Sequence, residues 1–444
     1  MGLVGVKSWD AHNVANSKAV VFGLFIALRW RGKMTVNLAK LEQVQRMITD
    51  RALSPDEQCL FADYLVALKR QRILFVLLRN YEGFPEHIGH DLDLFVRRCD
   101  ALKARHIFLE LLASAGGTLL IVHERDYFID LRFILNPPIA DSVHLDIYHS
   151  PFTWHGLPYL ADEKLLVDAR QYNGLPVPRP AHEALNILFA SILWGGFYKA
   201  RYQPRIASLL ASPEEYAEFN RCVQAAFGLA GKPPFDPRSS TLPEKTGVKA
   251  YAVRLRRAFK RHSFSKAPLK TLTRLARHWS VEIGCLLHPT GLVIVLTGPD
   301  ESTNKVMIDG LFQRIRELFT EGEVHYSQSY TQLSGGTSNS VSAFFRLLRN
   351  WFRCWLSWPV LGWKSKAQSK LVILDRHTDD WWRNPDRYGF SKLPSWLLKL
   401  FANSTLQPDF KFLLTPKDSR LPSAILDCFE TTLVAYLREH ERPS

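Results

Sequence analysis

Two carboxylates separated by a single residue mark the part of the chain where chemistry is expected. Asp91 and Asp93 stand at the start of the apolar run Asp91–Val96. In a β-strand, side chains two residues apart point to the same face, so Leu92 and Leu94 can face a core while both carboxylates project together. Adjacent carboxylates repel each other, and a shared divalent cation is the simplest partner that keeps both ionised. The spacing therefore predicts a cation site at this strand.

Neighbouring segments supply the elements that must position these carboxylates. The apolar run Ile73–Leu78 predicts a buried strand that a Gly/Pro-containing loop connects to the first carboxylate. A later run, Val143–Tyr148, predicts another strand of the same sheet and carries Asp146. Asp146 also stands between His144 and His149, which leaves two interpretations of the histidines. They form a separate His/Asp metal site, or they are hydrogen-bonded residues at the edge of the sheet.

The order strand, turn, then GHDLDLFV over residues 89–96 resembles the polymerase-β-type nucleotidyltransferase superfamily. That family takes a third carboxylate from a later strand, and Asp146 is the candidate. The resemblance implies that Asp91, Asp93 and Asp146 bind Mg²⁺ or Mn²⁺ and that a nucleoside triphosphate is the substrate. It implies two-metal transfer, with Asp146 binding the second ion or acting as general base for an acceptor hydroxyl. Placing Asp146 on the far side of the sheet, or burying any of the three against lysine or arginine, would contradict this chemistry.

The loop after the first strand departs from the family. Members usually carry Gly-Ser there to hold the nucleotide's phosphates, whereas this chain reads RNYEG from residue 79 onward. Transferred to these positions, the resemblance implies nucleotide contacts from Arg79, Asn80 and Gly89. Arg79 has two interpretations: it reaches a phosphate in place of the missing Gly-Ser, or it pairs with Glu82 or Glu86 at the surface.

Helical patterns surround the predicted strands. Ser54 and Glu57 form a predicted capping box before an amphipathic helix, and residues 100–115 predict a second helix. Further helices are predicted from Ala181 to Tyr198 and from Pro213 to Phe227, the latter opened by a second capping box, Ser212-Pro213-Glu214-Glu215. These segments predict an α/β fold with a mixed sheet and a helical subdomain over residues 35–231.

Length and composition limit the protein class. A chain of 444 residues with 46% hydrophobic residues should contain two domains with sizeable cores. Lys+Arg 57 against Asp+Glu 43 gives a net charge of +14, which favours polyanionic partners such as nucleotides, nucleic acid or anionic lipid. Six cysteines without CxxC spacing suit a reducing compartment. We therefore expect a cytoplasmic protein, with peripheral association at the inner membrane as the alternative location.

The first 34 residues predict an extension ahead of the folded domains. Their apolar run Ala19–Leu28 is too short to span a bilayer, which takes about 20 residues. One interpretation is an appended segment, with synthesis starting at Met34. The other is an interfacial membrane anchor.

Residues 232–288 predict a proline-rich linker followed by basic connector helices that are split at Pro268. The basic side chains are Lys249, Arg254, Arg256, Arg257, Lys260, Arg261, Lys266, Lys270, Arg274 and Arg277. A basic amphipathic connector can contact nucleic acid or an anionic membrane. The alternative is a solvated helical face that covers the neighbouring domain.

A second α/β domain is predicted over residues 289–444. The strand Leu292–Leu296 leads into Gly298-Pro299-Asp300 and a helix, as in a phosphate-binding loop. This region resembles bacterial thymidylate kinase, which implies a parallel-sheet P-loop fold. The resemblance implies nucleotide contacts from Gly298 and Asp300 and from Asp375 and Arg376 at the end of a later strand.

The predicted loop lacks the residues that phosphate binding needs. The glycines that normally follow Gly-Pro-Asp are missing, Asn304 stands at the lysine position, and Glu301 adds a charge of the same sign as phosphate. Without glycine the backbone cannot wrap a phosphate closely. We therefore expect a kinase fold whose kinase chemistry has been lost.

Together the two halves are similar to two-domain proteins found with bacterial polysaccharide genes. The first functional hypothesis is a nucleotidyltransferase whose acceptor the sequence does not identify. The second is a catalytically inactive binding or scaffold protein in polysaccharide biosynthesis. A third is a divergent phosphotransferase that acts on a sugar through Asp375 and Arg376.

Overall fold

The computed structural model describes residues 52–88, 91–135, 142–239, 245–298, 301–325, 339–358, 362–405, 407–413 and 422–440. The predicted extension over residues 1–34, and the candidate residues Gly89 and Asp300, lie outside this part of the chain. The described residues divide into two compact units. We call residues 52–290, 313–318 and 427–440 the front unit, and residues 291–312 and 319–426 the back unit.

The front unit contains a sheet between helices. Its elements in chain order are α1 (Pro55–Arg70), β1 (Phe75–Leu77), β2 (Asp91–Val96), α2 (Ala101–Ser114), β3 (Thr118–Glu124), β4 (Phe128–Ile134), β5 (Val143–Tyr148), β6 (Thr153–Trp154), β7 (Leu157–Pro158), α3 (Asp162–Val167), β8 (Arg170–Tyr172), β9 (Leu175–Val177), α4 (Pro180–Ala190), α5 (Gln203–Leu209), α6 (Pro213–Phe227), α7 (Lys245–Lys266) and α8 (Pro268–Leu287).

Five strands form a mixed sheet in the order β1-β2-β5-β4-β3. β2 and β5 are parallel, and the other neighbouring pairs are antiparallel. The predicted strands at β2 and β5 have the expected bounds, while the first predicted strand is shorter than expected. The predicted α/β class with a mixed sheet is confirmed.

The side chains of β2 point alternately to the two faces of the sheet. Leu92 and Leu94 are fully buried in the core that α1 and α2 form against one sheet face. Phe95 lies on the opposite face, in the core that the sheet shares with α4, α6 and α7. Because β-strand side chains alternate, Asp91 and Asp93 share the face of Phe95, toward the helical layer.

The two predicted capping boxes have different outcomes. In α1 the box is confirmed: Ser54 Oγ accepts a hydrogen bond from the Glu57 amide at 3.3 Å, and the Glu57 carboxylate accepts one from the Ser54 amide at 2.8 Å. In α6 the box is wrong, since Ser212 makes no side-chain cap. Glu215 instead accepts the Ala181 amide at 3.0 Å and so caps the neighbouring helix α4.

Helix α4 ends earlier than predicted. The α-helical hydrogen bonding ends at Ala190, and residues 191–195 form a π-type turn. Gly196 follows in a left-handed conformation, with a φ of 74°, and ends the helical segment. Arg256 donates to the carbonyl oxygen of Leu193 at 2.8 Å, so one cation of the predicted basic connector satisfies the end of this turn.

The predicted connector helices α7 and α8 pack within the front unit. α7 buries Tyr251, Leu255 and Phe259 in the core beneath α6, and the Tyr251 hydroxyl donates to the Gly231 carbonyl at 2.6 Å. The helix break at Pro268 is confirmed. The apolar stripe of α7 therefore covers neighbouring helices of its own unit.

Gly156 offers a test of how α8 packs on the front unit. It has a φ of +75°, and an added Cβ would lie 2.7 Å from the Arg274 carbonyl oxygen on α8. Gly156→Ala should therefore lower the free energy of unfolding by about 2–4 kcal/mol through left-handed strain and steric overlap. Gly174→Ala is the matched control, because its φ is +78° and nothing lies within 4 Å. In denaturant titrations the control should lose only about 1–2 kcal/mol, and equal losses would contradict this packing.

The remaining elements are β10 (Leu292–Thr297), α9 (Glu301–Ile315), β11 (Glu321–His325), α10 (Ser340–Trp358), α11 (Lys364–Ala367), β12 (Lys370–Asp375), α12 (Asp380–Arg383), α13 (Pro385–Tyr388), α14 (Ser395–Asn403), β13 (Phe410–Leu413) and α15 (Pro422–His440). The four strands of this part form a parallel sheet in the order β11-β12-β10-β13. Apolar runs such as Leu292–Leu296 are buried throughout, as strands of a covered parallel sheet require. None of the described helices combines the length and the apolar composition needed to cross a membrane.

Candidate cation and nucleotide site

The three predicted carboxylates meet on one face of the front sheet. β2 and β5 are parallel neighbours, and their register places Asp93 beside Asp146. One carboxylate oxygen from each of Asp91, Asp93 and Asp146 lies within 4.8 Å of the others. The strand period brings the first two together, and the β2–β5 pairing adds the third.

Arg79 lies against two of these three carboxylates. Its guanidinium donates to both oxygens of Asp93, at 2.8 Å from Nε and 2.6 Å from Nη2. Nη2 also lies 3.8 Å from the Asp91 carboxylate. The predicted surface pairing with Glu82 or Glu86 is therefore wrong, because Arg79 turns inward to the buried carboxylate. Asp93 is completely buried against an arginine, which is one of the two conditions expected to contradict cation chemistry.

The remaining negative charge is only partly balanced. Burial raises the pKa of Asp93 to about 6, and the Arg79 guanidinium opposes that rise. Burial also raises the pKa of Asp146 well above its usual value, and the neighbouring carboxylates add to the rise. In the described chain Asp146 accepts one hydrogen bond, from the Tyr148 hydroxyl at 3.3 Å. A second arginine, Arg132, is engaged by Asp130 on β4.

These facts test whether a divalent cation fits. Three carboxylates with converging oxygens are the ligands that Mg²⁺ and Mn²⁺ prefer, and among the described residues Asp146 forms no ion pair with an arginine or lysine. The donor set therefore fits such an ion. Asp93 can contribute both oxygens only after Arg79 releases it, so the cation and the guanidinium compete for this carboxylate.

A cavity of about 420 Å³ opens beside Arg79 and Asp93. Its volume lies within the range of small-molecule sites, about 300–1,000 Å³. Five aromatic residues line it: Tyr127, Tyr148, Trp194, Phe197 and Tyr202. Aromatic faces of this kind suit the stacking of a nucleobase.

Polar groups line the same cavity at separate points. Asn186 and Ser191 come from the helical layer, and Lys199 supplies a second cation besides Arg79. Burial lowers the pKa of Lys199. A cavity with an aromatic wall, two cations and one carboxylate, that of Asp93, matches the parts of a nucleoside triphosphate with its cation.

The loop that carries Arg79 is fixed from both sides. Asn80 adopts a φ of 57°, a left-handed conformation that asparagine tolerates better than most residues. Tyr81 donates to the Glu183 carboxylate at 2.6 Å, and Arg205 donates to the Tyr81 hydroxyl at 2.8 Å. Glu82 also pairs with Arg205. These bonds hold the loop against α4 and α5 and set the position of Arg79.

The alternative His/Asp metal site does not form among the described residues. The groups of ligands close enough to hold an ion there include neither His144 nor His149. Burial lowers the pKa of His149 to about 4, so this imidazole is neutral at neutral pH.

The sequence did not indicate most of the cavity wall. Tyr148 could have been found, because it lies two residues after Asp146 on the same strand and must share its face. Trp194 and Lys199 follow the end of α4 and reach the site only through tertiary packing. No local pattern marks them.

In the back unit the predicted nucleotide contacts are engaged internally. Gly298 follows β10 and is buried. Asn304 is fully buried at the expected lysine position, and its amide donates to the Asp375 carboxylate at 2.8 Å. Arg376 is buried and donates to Asp380 at 3.0 Å. Asn304 and Arg376 are therefore held by neighbouring carboxylates, while Asn304 Oδ1 and Arg376 Nη2 stay buried without a hydrogen-bond partner in the described chain.

Comparisons of the chain with protein-family models, with curated proteins and with solved structures found no match.

Proposed function

We propose that the front unit is a nucleotidyltransferase that binds a divalent cation and a nucleoside triphosphate and transfers the nucleotidyl group to an acceptor hydroxyl. The single observation that carries this proposal is the convergence of Asp91, Asp93 and Asp146 beside an aromatic cavity with two cations. A solvated pair of aspartates would require neither the third strand-borne carboxylate nor the cavity.

The residues divide into three roles. Asp91, Asp93 and Asp146 hold the cation, which when bound neutralises phosphate charge and lowers the pKa of the acceptor hydroxyl. Arg79 and Lys199 bind the phosphates, and the aromatic wall holds the base. Asp146 also accepts the proton of the acceptor hydroxyl on the oxygen that Tyr148 leaves free. The acceptor oxygen then bonds to the α-phosphorus while the bond to the pyrophosphate leaving group breaks.

In this proposal the partner of Arg79 depends on whether nucleotide is bound. Without nucleotide its guanidinium neutralises Asp93. An incoming triphosphate offers the guanidinium a stronger anionic partner, and Asp93, once released by Arg79, would be free to hold the cation. The bidentate Arg79–Asp93 pair is thus compatible with the proposal when Arg79 moves to the triphosphate as Asp93 takes up the cation.

Labelled nucleotides test this proposal directly. The purified full chain is incubated with Mg²⁺ or Mn²⁺ and each nucleoside triphosphate, labelled in parallel at the α- or the γ-phosphate. Nucleotidyl transfer moves the α label to the protein or to a co-purified acceptor, whereas a phosphotransferase moves the γ label. Asp91→Asn should abolish the transfer, and this residue is about a quarter exposed, so its replacement should leave the fold intact. Absence of α-label transfer from every nucleotide would overturn the proposal.

Lys199 allows a separate prediction about nucleotide affinity. Lys199→Gln should weaken nucleoside triphosphate binding about tenfold, because it removes one phosphate-binding cation from the cavity. Arg201→Gln is the matched control: it removes the same charge two residues away, outside the cavity wall. Fluorescence titration with each variant would measure the two affinities. Equal weakening would show that the general positive charge of the surface binds nucleotide, not the cavity.

The Arg79–Asp93 pair also favours a second candidate, a protein that binds nucleotide without turnover. In that case the guanidinium is a permanent replacement for the cation. Equal thermal stabilisation of wild type and Asp91→Asn by nucleotide, with and without Mn²⁺, would favour this candidate.

We further propose that the back unit has lost kinase chemistry and serves as a binding or scaffold domain. The burial of Asn304, Asp375 and Arg376 in their own hydrogen bonds supports this proposal. It leaves the sugar phosphotransferase hypothesis without exposed side chains at those positions.

A further inference from the structure

A second group of possible metal ligands lies in the helical layer of the front unit. His182 stands in the first turn of α4, and Glu218 and Cys222 lie one turn apart on α6. One ligand atom from each lies within 4.8 Å of the others. The group offers one nitrogen, one oxygen and one sulfur, and all three side chains are buried.

His182 has no hydrogen-bond partner despite complete burial. Both ring nitrogens are unpaired within the described chain, and the side chain is 0% exposed. Nε2 lies 3.8 Å from a Glu218 oxygen and 3.7 Å from an Asp168 oxygen, too far for hydrogen bonds. A buried imidazole without a partner is unfavourable, so its environment is incomplete. The two carboxylates beside Nε2 show where the missing group belongs.

The spacings match those between the ligands of one small ion. Zn–ligand bonds of about 2.0–2.3 Å in a tetrahedral site place ligands about 3.3–3.8 Å apart. Cys222 Sγ lies 3.3 Å from a Glu218 oxygen, and the contacts of His182 with Glu218 and Asp168 fall in the same range. Glu218 and Cys222 bond to each other and to Lys164, whereas the imidazole beside them has no hydrogen-bond partner among the described residues.

We propose that His182, Glu218 and Cys222 bind a zinc-class divalent cation, with Asp168 or water in the fourth position. Thiolate, imidazole and carboxylate together select a borderline-soft ion such as Zn²⁺ and disfavour Mg²⁺. The ion satisfies the imidazole nitrogen and joins α4 to α6. This site is independent of the cation site at Asp91, Asp93 and Asp146.

Two cations compete with the ion: Arg221 pairs with one Glu218 oxygen, and the other is bonded to Lys164. The Lys164 ammonium bonds to Glu218 and lies 3.5 Å from Cys222 Sγ, so it supplies positive charge where the ion would bind. The Lys164 side chain is 38% exposed and can turn outward when the ion enters. A cavity of about 390 Å³, lined in part by Lys164, Arg221 and Cys222, provides the route from solvent.

Cobalt substitution tests the site in the full-length, tag-free chain after copurified metal has been removed by chelation. Stoichiometric Co²⁺ should produce the near-ultraviolet charge-transfer band of a cobalt thiolate, and Zn²⁺ should displace it. Cys222→Ser should remove the band, and Glu218→Gln should weaken Co²⁺ binding about 100-fold. Cys285→Ser is the matched control, since Cys285 is another free cysteine of the front unit, and it should leave the band unchanged.

Two further variants separate the possible outcomes. Lys164→Met keeps the aliphatic stem and removes one of the two competing charges, so it should tighten Co²⁺ binding several-fold. Asp91→Asn should leave the band unchanged, which distinguishes failure of this site from failure of the nucleotidyltransferase proposal. The proposal is overturned when correctly folded wild type shows no thiolate band, or when the band persists in Cys222→Ser.

Discussion

Asp146→Asn should abolish nucleotidyl transfer while leaving the metal-free protein at least as stable as the wild type. The side chain is buried, and burial together with repulsion from Asp130, Asp91 and Asp93 raises its pKa well above the usual value. The neutral amide removes that repulsion, and it also removes a cation ligand and the proton acceptor. We expect a loss of about 1,000-fold in transfer rate, the scale seen when one electrostatic stabiliser is removed from an active site.

The two measurements together separate a catalytic from a structural carboxylate. Thermal unfolding without metal should show an equal or higher midpoint for Asp146→Asn, and Mn²⁺ should no longer raise it. Asp130→Asn is the matched control on the adjacent strand, because Asp130 is equally buried but holds Arg132. Removing the Asp130 charge leaves the buried Arg132 guanidinium without its counterion, so the free energy of unfolding should fall by about 3–5 kcal/mol. A comparable loss of stability in Asp146→Asn would assign Asp146 to the fold rather than to chemistry.

The placement of the carboxylates could be predicted because it depends on local rules. The period of two along β2 puts Asp91 and Asp93 on one face, and the apolar run around Asp146 indicates a strand of its own. Once the β2 and β5 strands are parallel neighbours, the side chains must approach each other. The helix break at Pro268 and the capping box of Ser54 are equally local, and both predictions were confirmed.

The features that sequence did not reveal depend on contacts between distant segments. Arg79 has two acidic residues close to it in sequence, yet it binds Asp93, fourteen positions away, because the loop turns it inward. Glu215 caps α4 rather than its own helix for a similar reason. The spacing of the cysteines along the sequence gave no metal signature. His182 on α4 is far in sequence from Glu218 and Cys222 on α6, because the turn after α4 and helix α5 lie between them. Only the Glu-x-x-x-Cys step on α6 could have pointed to that site.

Arg79→Ala has the second largest expected effect, and its result decides how the Asp93 carboxylate is used. Asp93 is completely buried and makes two short bonds to the guanidinium. Truncation leaves an uncompensated buried charge beside Asp91 and Asp146, so the free energy of unfolding should fall by about 3–5 kcal/mol. The double variant Arg79→Ala/Asp93→Asn should recover most of this loss, because no charge is then left unpaired.

Mn²⁺ should restore the stability of Arg79→Ala more than it stabilises the wild type, since the competing guanidinium is gone. Binding at 100 times the dissociation constant contributes about 2.7 kcal/mol, comparable to the expected loss. Arg132→Ala is the control: it also strips a buried aspartate of its arginine partner, outside the three converging carboxylates, so Mn²⁺ should not rescue it. If Mn²⁺ shifts both variants equally or neither, the guanidinium is a permanent counterion of Asp93 and the three carboxylates do not bind the cation. If it rescues Arg79→Ala alone, arginine and cation exchange at one carboxylate, which is the step that nucleotidyl transfer at this site requires.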